Sequence, residues 1–149
     1  MTGRFIVFEG GEGSGKSTQS AILADRLDAI LTRQPGGTDI GAALRAILLD
    51  TGTVALAPRA EALLFAAARS DHVERLIRPA LAAGKWVVCD RFLDSSRAYQ
   101  GGGGGLEDAD LMTLHAIGSQ GLLPELTLLL EVAPEVAAAR LAARDPDGA

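Results

Sequence analysis

Gly10-Gly11-Glu12-Gly13-Ser14-Gly15-Lys16-Ser17 is a run of small residues closed by a lysine and a hydroxyl, with Thr18 next. Its spacing is G-x-x-x-x-G-K-[ST]. Small residues let consecutive backbone N–H groups turn inward around a phosphate. A helix starting near Gly15 would add the positive end of its dipole. Lys16 could then reach the β- and γ-phosphates of a nucleotide, and the Ser17 hydroxyl could ligate Mg²⁺. The dinucleotide spacing G-x-G-x-x-G is not met, because Lys16 and Thr18 stand where its last glycine would fall. Such a loop also needs a carboxylate for the metal at the end of a neighbouring strand. Asp90 closes the apolar run Trp86 to Cys89 and can supply it; the competing reading is a capping carboxylate. Arg91 follows directly and suits a two-pronged grip on a phosphate.

Two further groups could recognise a base. Phe65, Arg69 and His72 fall at i, i+4 and i+7 of one helical pattern and share a face. A ring beside a guanidinium can stack on a base and donate to its carbonyl. The same spacing also fits a core phenylalanine and a solvated arginine. His72 receives no role. Ser96, Tyr99 and Gln100 share a face if residues 95–100 are helical, and they would make a polar lining for a nucleoside or an ordinary polar turn.

The elements that must position these groups follow from periodicity. Residues 4–9 (RFIVFE) and 86–90 (WVVCD) read as buried strands, with further strands at 29–32 and 126–132. Helical patterns cover 15–27, 39–49, 60–83 and 134–144. Pro79 should kink or interrupt the third of these, and Gly84 suits its C-cap. Pro134 suits the first turn of the last. Strand and helix alternate, which predicts an α/β fold with a parallel sheet flanked by helices on both faces. Gly101 to Gly105 form a run of five glycines, expected as a loop that is either a plain linker or a close approach to a ligand. Residues 145–149 (DPDGA) begin no element, and the pattern is expected to be incomplete at that point.

Composition bounds the function. The chain has 149 residues, 48% hydrophobic and 22% charged, which is one ordinary globular domain. A net charge of −5 argues against a general nucleic-acid binder. One cysteine excludes an internal disulfide and a cysteine-rich zinc site. No apolar run approaches the roughly 18 residues of a membrane span, and no signal-peptide pattern opens the chain. The cytoplasm is expected. Lys16 is one of only two lysines, the other being Lys85. A GTPase would need a guanine-reading N-K-x-D, which the sequence lacks.

The segments FEGGEGSGKSTQ (8–19), TRQPGGT (32–38), ALRAILLD (43–50), EALLFAAARSDHVERLIRPAL (61–81), WVVCDRFLDSSRAYQGG (86–102) and LPELTLLLEVAPEVA (123–137) together resemble thymidylate kinase of the bacterial type. The resemblance implies a P-loop nucleoside monophosphate kinase fold over residues 1–149, one domain without most of the lid and the C-terminal strand and helices. It implies transfer of the γ-phosphoryl of ATP, with Mg²⁺, to dTMP, giving dTDP. By the same resemblance Gly10 to Thr18 would hold ATP, and Ser17 and Asp90 the metal. Lys16, Arg91 and Arg144 would supply catalytic charge. Glu12 would meet the sugar 3′-hydroxyl, and Arg45 and Arg91 the acceptor phosphate. Phe65 would stack on thymine, Arg69 would bond its O4, and Ser96 and Gln100 would read the pyrimidine edge. Tyr99 would lie against the deoxyribose. A homodimer through the long helices is implied, with no nucleic-acid or membrane partner.

Three features depart from the family pattern. Gln34 stands where R-E-P-G-G-T carries Glu, so the charge is lost while shape and hydrogen bonding remain. The stretch from Leu27 to Thr32 is some residues shorter than in the family, which predicts either an abbreviated second strand or residues missing there. The chain is expected to stop where the family's lid begins; with Gly13 in place of the basic loop residue of the eukaryotic type, bacterial relatives draw an arginine from the lid, and Arg140 and Arg144 stand at its approach. The Gln34–Pro35 bond is expected to be cis. The alternatives are a kinase for another pyrimidine monophosphate, or a P-loop module that binds without catalysing.

Overall fold

The computed structural model describes residues 2–50 and 55–145. The elements run β1 (Phe5–Gly10), α1 (Lys16–Leu27), β2 (Ile30–Arg33), α2 (Asp39–Leu49), α3 (Pro58–His72), α4 (Arg78–Ala82), β3 (Val87–Asp90), α5 (Leu93–Ser96), α6 (Asp108–Ser119), β4 (Leu126–Leu130) and α7 (Pro134–Arg144). The four strands form one sheet in the order β2-β3-β1-β4, with every neighbouring pair parallel.

Side-chain alternation along the strands builds two cores. Phe5 and Val7 point to one face with Val87 and Cys89, where Val73, Ile77, Phe92 and Leu93 cover them. Ile6, Phe8 and Val88 point to the other, against Ala24 of α1. β1 and β3 are adjacent, yet the chain leaves β1 for α1 on one face and leaves β3 toward Phe92 and Leu93 on the other. That divergence opens a crevice at the carboxyl ends of the two strands, where ligands bind in folds of this kind.

The predicted elements are present, and four details differ. First, the interruption expected at Pro79 is a π-helical one, so the α-helical ladder breaks while the chain stays helical. A π-helical turn, Val73–Ile77, joins α3 to α4, and the Arg78 N–H reaches back to the Val73 carbonyl. The widened turn accommodates the proline ring, so helical dihedrals continue through Arg78. Second, β2 is the four residues Ile30–Arg33, one position later than the 29–32 pattern, and it pairs with β3 from Ile30 beside Val87 to Arg33 beside Asp90. Asp28 turns the chain into it from α1 with φ 49°. Third, α6 had no counterpart in the periodicity reading, although its buried residues Leu111, His115 and Ser119 keep helical spacing. Fourth, the glycine run is not simply a loop, because Gly101 to Gly103 complete a π-helical segment that begins at Arg97.

Thr38 caps α2 by accepting from the Gly41 N–H at 3.0 Å, and it donates to Asp71 of α3 at 2.6 Å. The Gln34–Pro35 bond is cis. Gly37 has φ 82°, and a Cβ there would lie 2.3 Å from His72 Nε2, so the turn after β2 can press onto α3 only with glycine at this position. Among the described residues no helix is long and apolar enough to cross a membrane.

Candidate active site

The glycine-rich loop joins β1 to α1 at the crevice. Lys16 is almost wholly buried, and its ammonium donates to the Gly11 carbonyl at 2.8 Å and reaches Ser14 Oγ at 3.5 Å. Burial, and then the charge of Arg91, push its pKa down. Ser17 Oγ donates to Asp90 Oδ2 at 2.6 Å. A hydroxyl and a carboxylate thus converge beside the loop, a hard-oxygen donor pair of the kind Mg²⁺ takes. Among the described residues no cluster of three His, Cys, Asp or Glu could hold an ion unaided. The residues fit an ion that takes its other ligands from nucleotide phosphates and water.

Gly13 has φ 77°, and any Cβ would lie 2.8 Å from the Ala137 carbonyl of α7. Arg140 of α7 donates to the Gly13 carbonyl at 3.1 Å. Arg144 lies on the last turn of the same helix, and its charge is felt at Glu12. Helix α7 therefore brings both arginines to the loop, and Arg140 is the one that bonds its backbone.

Arg91 ties the loop to the rest of the crevice. One guanidinium nitrogen donates to Glu12 at 2.6 Å and another to Ser95 Oγ at 3.2 Å, while the Tyr99 ring lies 5.4 Å away. Burial works against the charge of Glu12, but the Arg91 hydrogen bond, with Lys16 and Arg144 nearby, holds its carboxyl below the usual range. The Arg91 backbone has φ 69°, uncommon for a residue with a side chain. Its N–H is fixed to the Phe8 carbonyl at 2.9 Å. Glu9, 5% exposed, holds the following turn by accepting from the Phe92 N–H at 2.9 Å, the Ser95 N–H at 3.2 Å and Ser95 Oγ at 2.6 Å. Burial pushes its pKa up, against those hydrogen bonds.

A cavity of about 340 Å³ adjoins the loop. Every residue expected on the acceptor side lines it: Glu12, Arg45, Phe65, Arg69, Arg91, Ser96, Tyr99 and Gln100. Arg45 donates to the Pro35 carbonyl at 3.0 Å, and burial, then nearby Arg33, lowers its pKa. Arg69 is not solvated. It is 5% exposed, its Nε donates to Gln34 Oε1 at 3.1 Å, a terminal nitrogen donates to Ser96 Oγ, and it lies 5.7 Å from the Phe92 ring. Burial lowers its pKa to about 10, which leaves it charged at neutral pH. Gln100 Nε2 donates to Glu61 at 2.9 Å. Ser96 and Gln100 are buried, whereas Tyr99 is half exposed, because the chain passes from α-helix into the π-helical segment between them.

Sequence reasoning missed Glu9, Glu61, Ser95 and the part played by His72. Glu61 could have been found, since it lies one turn before Phe65 on the face that carries Arg69. Glu9 offered the signal used for Asp90, a carboxylate at the end of an apolar strand. Ser95 carried no signal of its own.

A glycine-rich loop of P-loop spacing between β1 and α1, a cavity against it and a parallel sheet with helices on both faces define a P-loop nucleoside monophosphate kinase fold. The family model described as "Thymidylate kinase" matches residues 8–148, and the chain belongs to the thymidylate kinase family. A curated thymidylate kinase of Rhizorhabdus wittichii is 61% identical over 137 residues, 89% of this chain and 66% of that protein. One from a Synechococcus strain is 52% identical over 141 residues, 91% of this chain and 68% of its own. The chain thus spans about two thirds of the length of these relatives. A crystal structure of thymidylate kinase from Ehrlichia chaffeensis aligns with TM-score 0.82 and 34% identity, over 98% of this chain and 84% of that one.

Proposed function

We propose that this chain is one kinase domain that binds ATP in the loop and dTMP in the adjoining cavity, and moves the γ-phosphoryl from one to the other. The observation that carries this is the shared wall: Glu12 belongs to the loop and lines the cavity, and Arg91, which bonds it, lines the cavity too. The membership of the chain in the thymidylate kinase family supports dTMP as the acceptor.

The chemistry needs little from the protein beyond position and positive charge. The nucleophile is an oxygen of the dTMP phosphate, already anionic, so no strong base is required. Its new bond to the γ-phosphorus forms as the bond from that phosphorus to the β–γ bridging oxygen breaks, and ADP and dTDP result. Lys16 turns from its own loop to the nucleotide phosphates. Arg91 and Arg45 hold the acceptor phosphate, and Arg91 bears on the charge that spreads over the transferring group. Arg144 approaches the same charge from α7. Ser17 and Asp90 would hold Mg²⁺, which when bound neutralises phosphate charge and orients the triphosphate. Phe65 stacks on thymine, and Arg69 donates to its O4. Ser96 and Gln100 border the pyrimidine edge, Glu12 meets the 3′-hydroxyl, and Tyr99 lies along the deoxyribose. A homodimer is supported by apolar side chains left exposed on the helical face, Leu63 of α3 and Ile117 of α6. The cytoplasm, where nucleotides are made, is the expected compartment.

A coupled ADP-release assay tests the reading. Turnover should be faster with dTMP than with dUMP, CMP or AMP. Faster turnover with CMP or AMP would overturn it. A Lys16→Ala variant should lose phosphoryl transfer, and unchanged function in that variant would favour a module that only binds nucleotide.

A further inference from the structure

The base-facing guanidinium of Arg69 is held by groups given no role in the proposed reaction, Gln34, which itself lines the cavity, and behind it His72. Its Nε–H donates to Gln34 Oε1 at 3.1 Å. The other end of that amide, Gln34 Nε2, lies 2.9 Å from His72 Nδ1, and His72 Nε2 lies 2.7 Å from Thr32 Oγ1. Gln34, His72, Thr32 and Arg69 are all buried.

Donors and acceptors fix the direction of this chain. Arg69 offers only hydrogens, so the amide must present its oxygen to it. The amide nitrogen then has hydrogens to give, so His72 Nδ1 must be bare and accept. The remaining ring proton sits on Nε2 and faces the Thr32 hydroxyl. A carboxylate at position 34 could not be ordered this way, because it would accept from both sides and demand a proton on His72 Nδ1.

We propose that Gln34 and His72 are positioning residues for Arg69, acting as an ordered relay that sets the guanidinium against the base. The inference rests on the reading of the cavity as the dTMP site. Turn and helix geometry support it, since Gly37 brings the turn after β2 against the His72 ring. Burial also pushes His72 down to about 4, which keeps the ring neutral as the relay requires.

Titration calorimetry and steady-state kinetics on the full chain test it. Gln34→Met should weaken dTMP by about tenfold, a typical loss when a charged donor is left without its acceptor, and His72→Leu, which leaves the Gln34 amide free to turn, by a smaller but measurable factor, each with little change in kcat or in the KM for ATP. His72→Asn, whose amide oxygen can stand near the lost Nδ1, should recover most of the dTMP affinity. On an Arg69→Ala background the same changes should have no further effect. In the unaltered protein, nitrogen NMR should find the His72 proton on Nε2, a readout that no variant needs to fold for. A proton on Nδ1, or dTMP affinity unchanged in His72→Leu and Gln34→Met while Arg69→Ala loses it, would overturn the relay and leave the dTMP site intact. An unaltered protein that binds dTMP no better than CMP would instead overturn the site, and the relay with it.

Discussion

Ser17 Oγ and Asp90 Oδ2 meet at 2.6 Å across 73 positions of sequence. The first follows β1 and the second ends β3, and the parallel pairing of these strands, Phe8 beside Asp90, brings them together. Asp90→Asn keeps the shape and removes the charge. It should lower kcat by about 10²-fold or more, on the scale of losing one group that stabilises developing charge. Chelation of divalent cations should stop turnover while calorimetry still detects dTMP binding. Undiminished turnover in chelator would show that the pair serves only structure.

Arg69 separates the two ligands. Arg69→Ala should weaken dTMP by about 1.5–3 kcal/mol, the range for a hydrogen bond to a charged group, which is about 10- to 150-fold in affinity. The KM for ATP should hold. Equal losses for both ligands would make Arg69 a structural residue.

Gly13 is confined by α7. Gly13→Ala adds a Cβ that would lie 2.8 Å from the Ala137 carbonyl, at φ 77°. The cost should be about 1–3 kcal/mol, read as a lower melting temperature together with a raised KM for ATP. A basic residue at position 13 should displace α7 and, with it, the Arg140 bond to the loop. An unchanged melting temperature in Gly13→Ala would show that α7 yields freely.

His72 makes stability depend on acid. Burial holds its pKa at about 4 against an ordinary 6.5, although Asp71 next to it favours the cation. The unfolded chain therefore takes up the proton first as pH falls. The stabilisation is complete above about pH 6.5 and drains away toward about pH 4, by about 3 kcal/mol in all. Urea denaturation at several pH values should show this slope, and His72→Asn should flatten it. The Arg69 guanidinium, one turn earlier on α3, stays charged throughout.

The sequence by itself determined the loop, the strand–helix alternation and the residue types of the acceptor side. These are local matters: small residues and a lysine at fixed spacing, and side-chain period along strand or helix. Only tertiary structure decided how Arg69 is held, because Gln34 and Ser96 lie on different elements and hydrogen-bond direction is not written in spacing. It also decided how the long helix is interrupted before Pro79, since a π-helical turn there takes up the ring at the cost of one wider hydrogen bond. The eight-residue convergence around one cavity belongs to the fold as well. It depends on which strands are neighbours and on which face each chain segment leaves the sheet, and those are set by long-range packing of two cores.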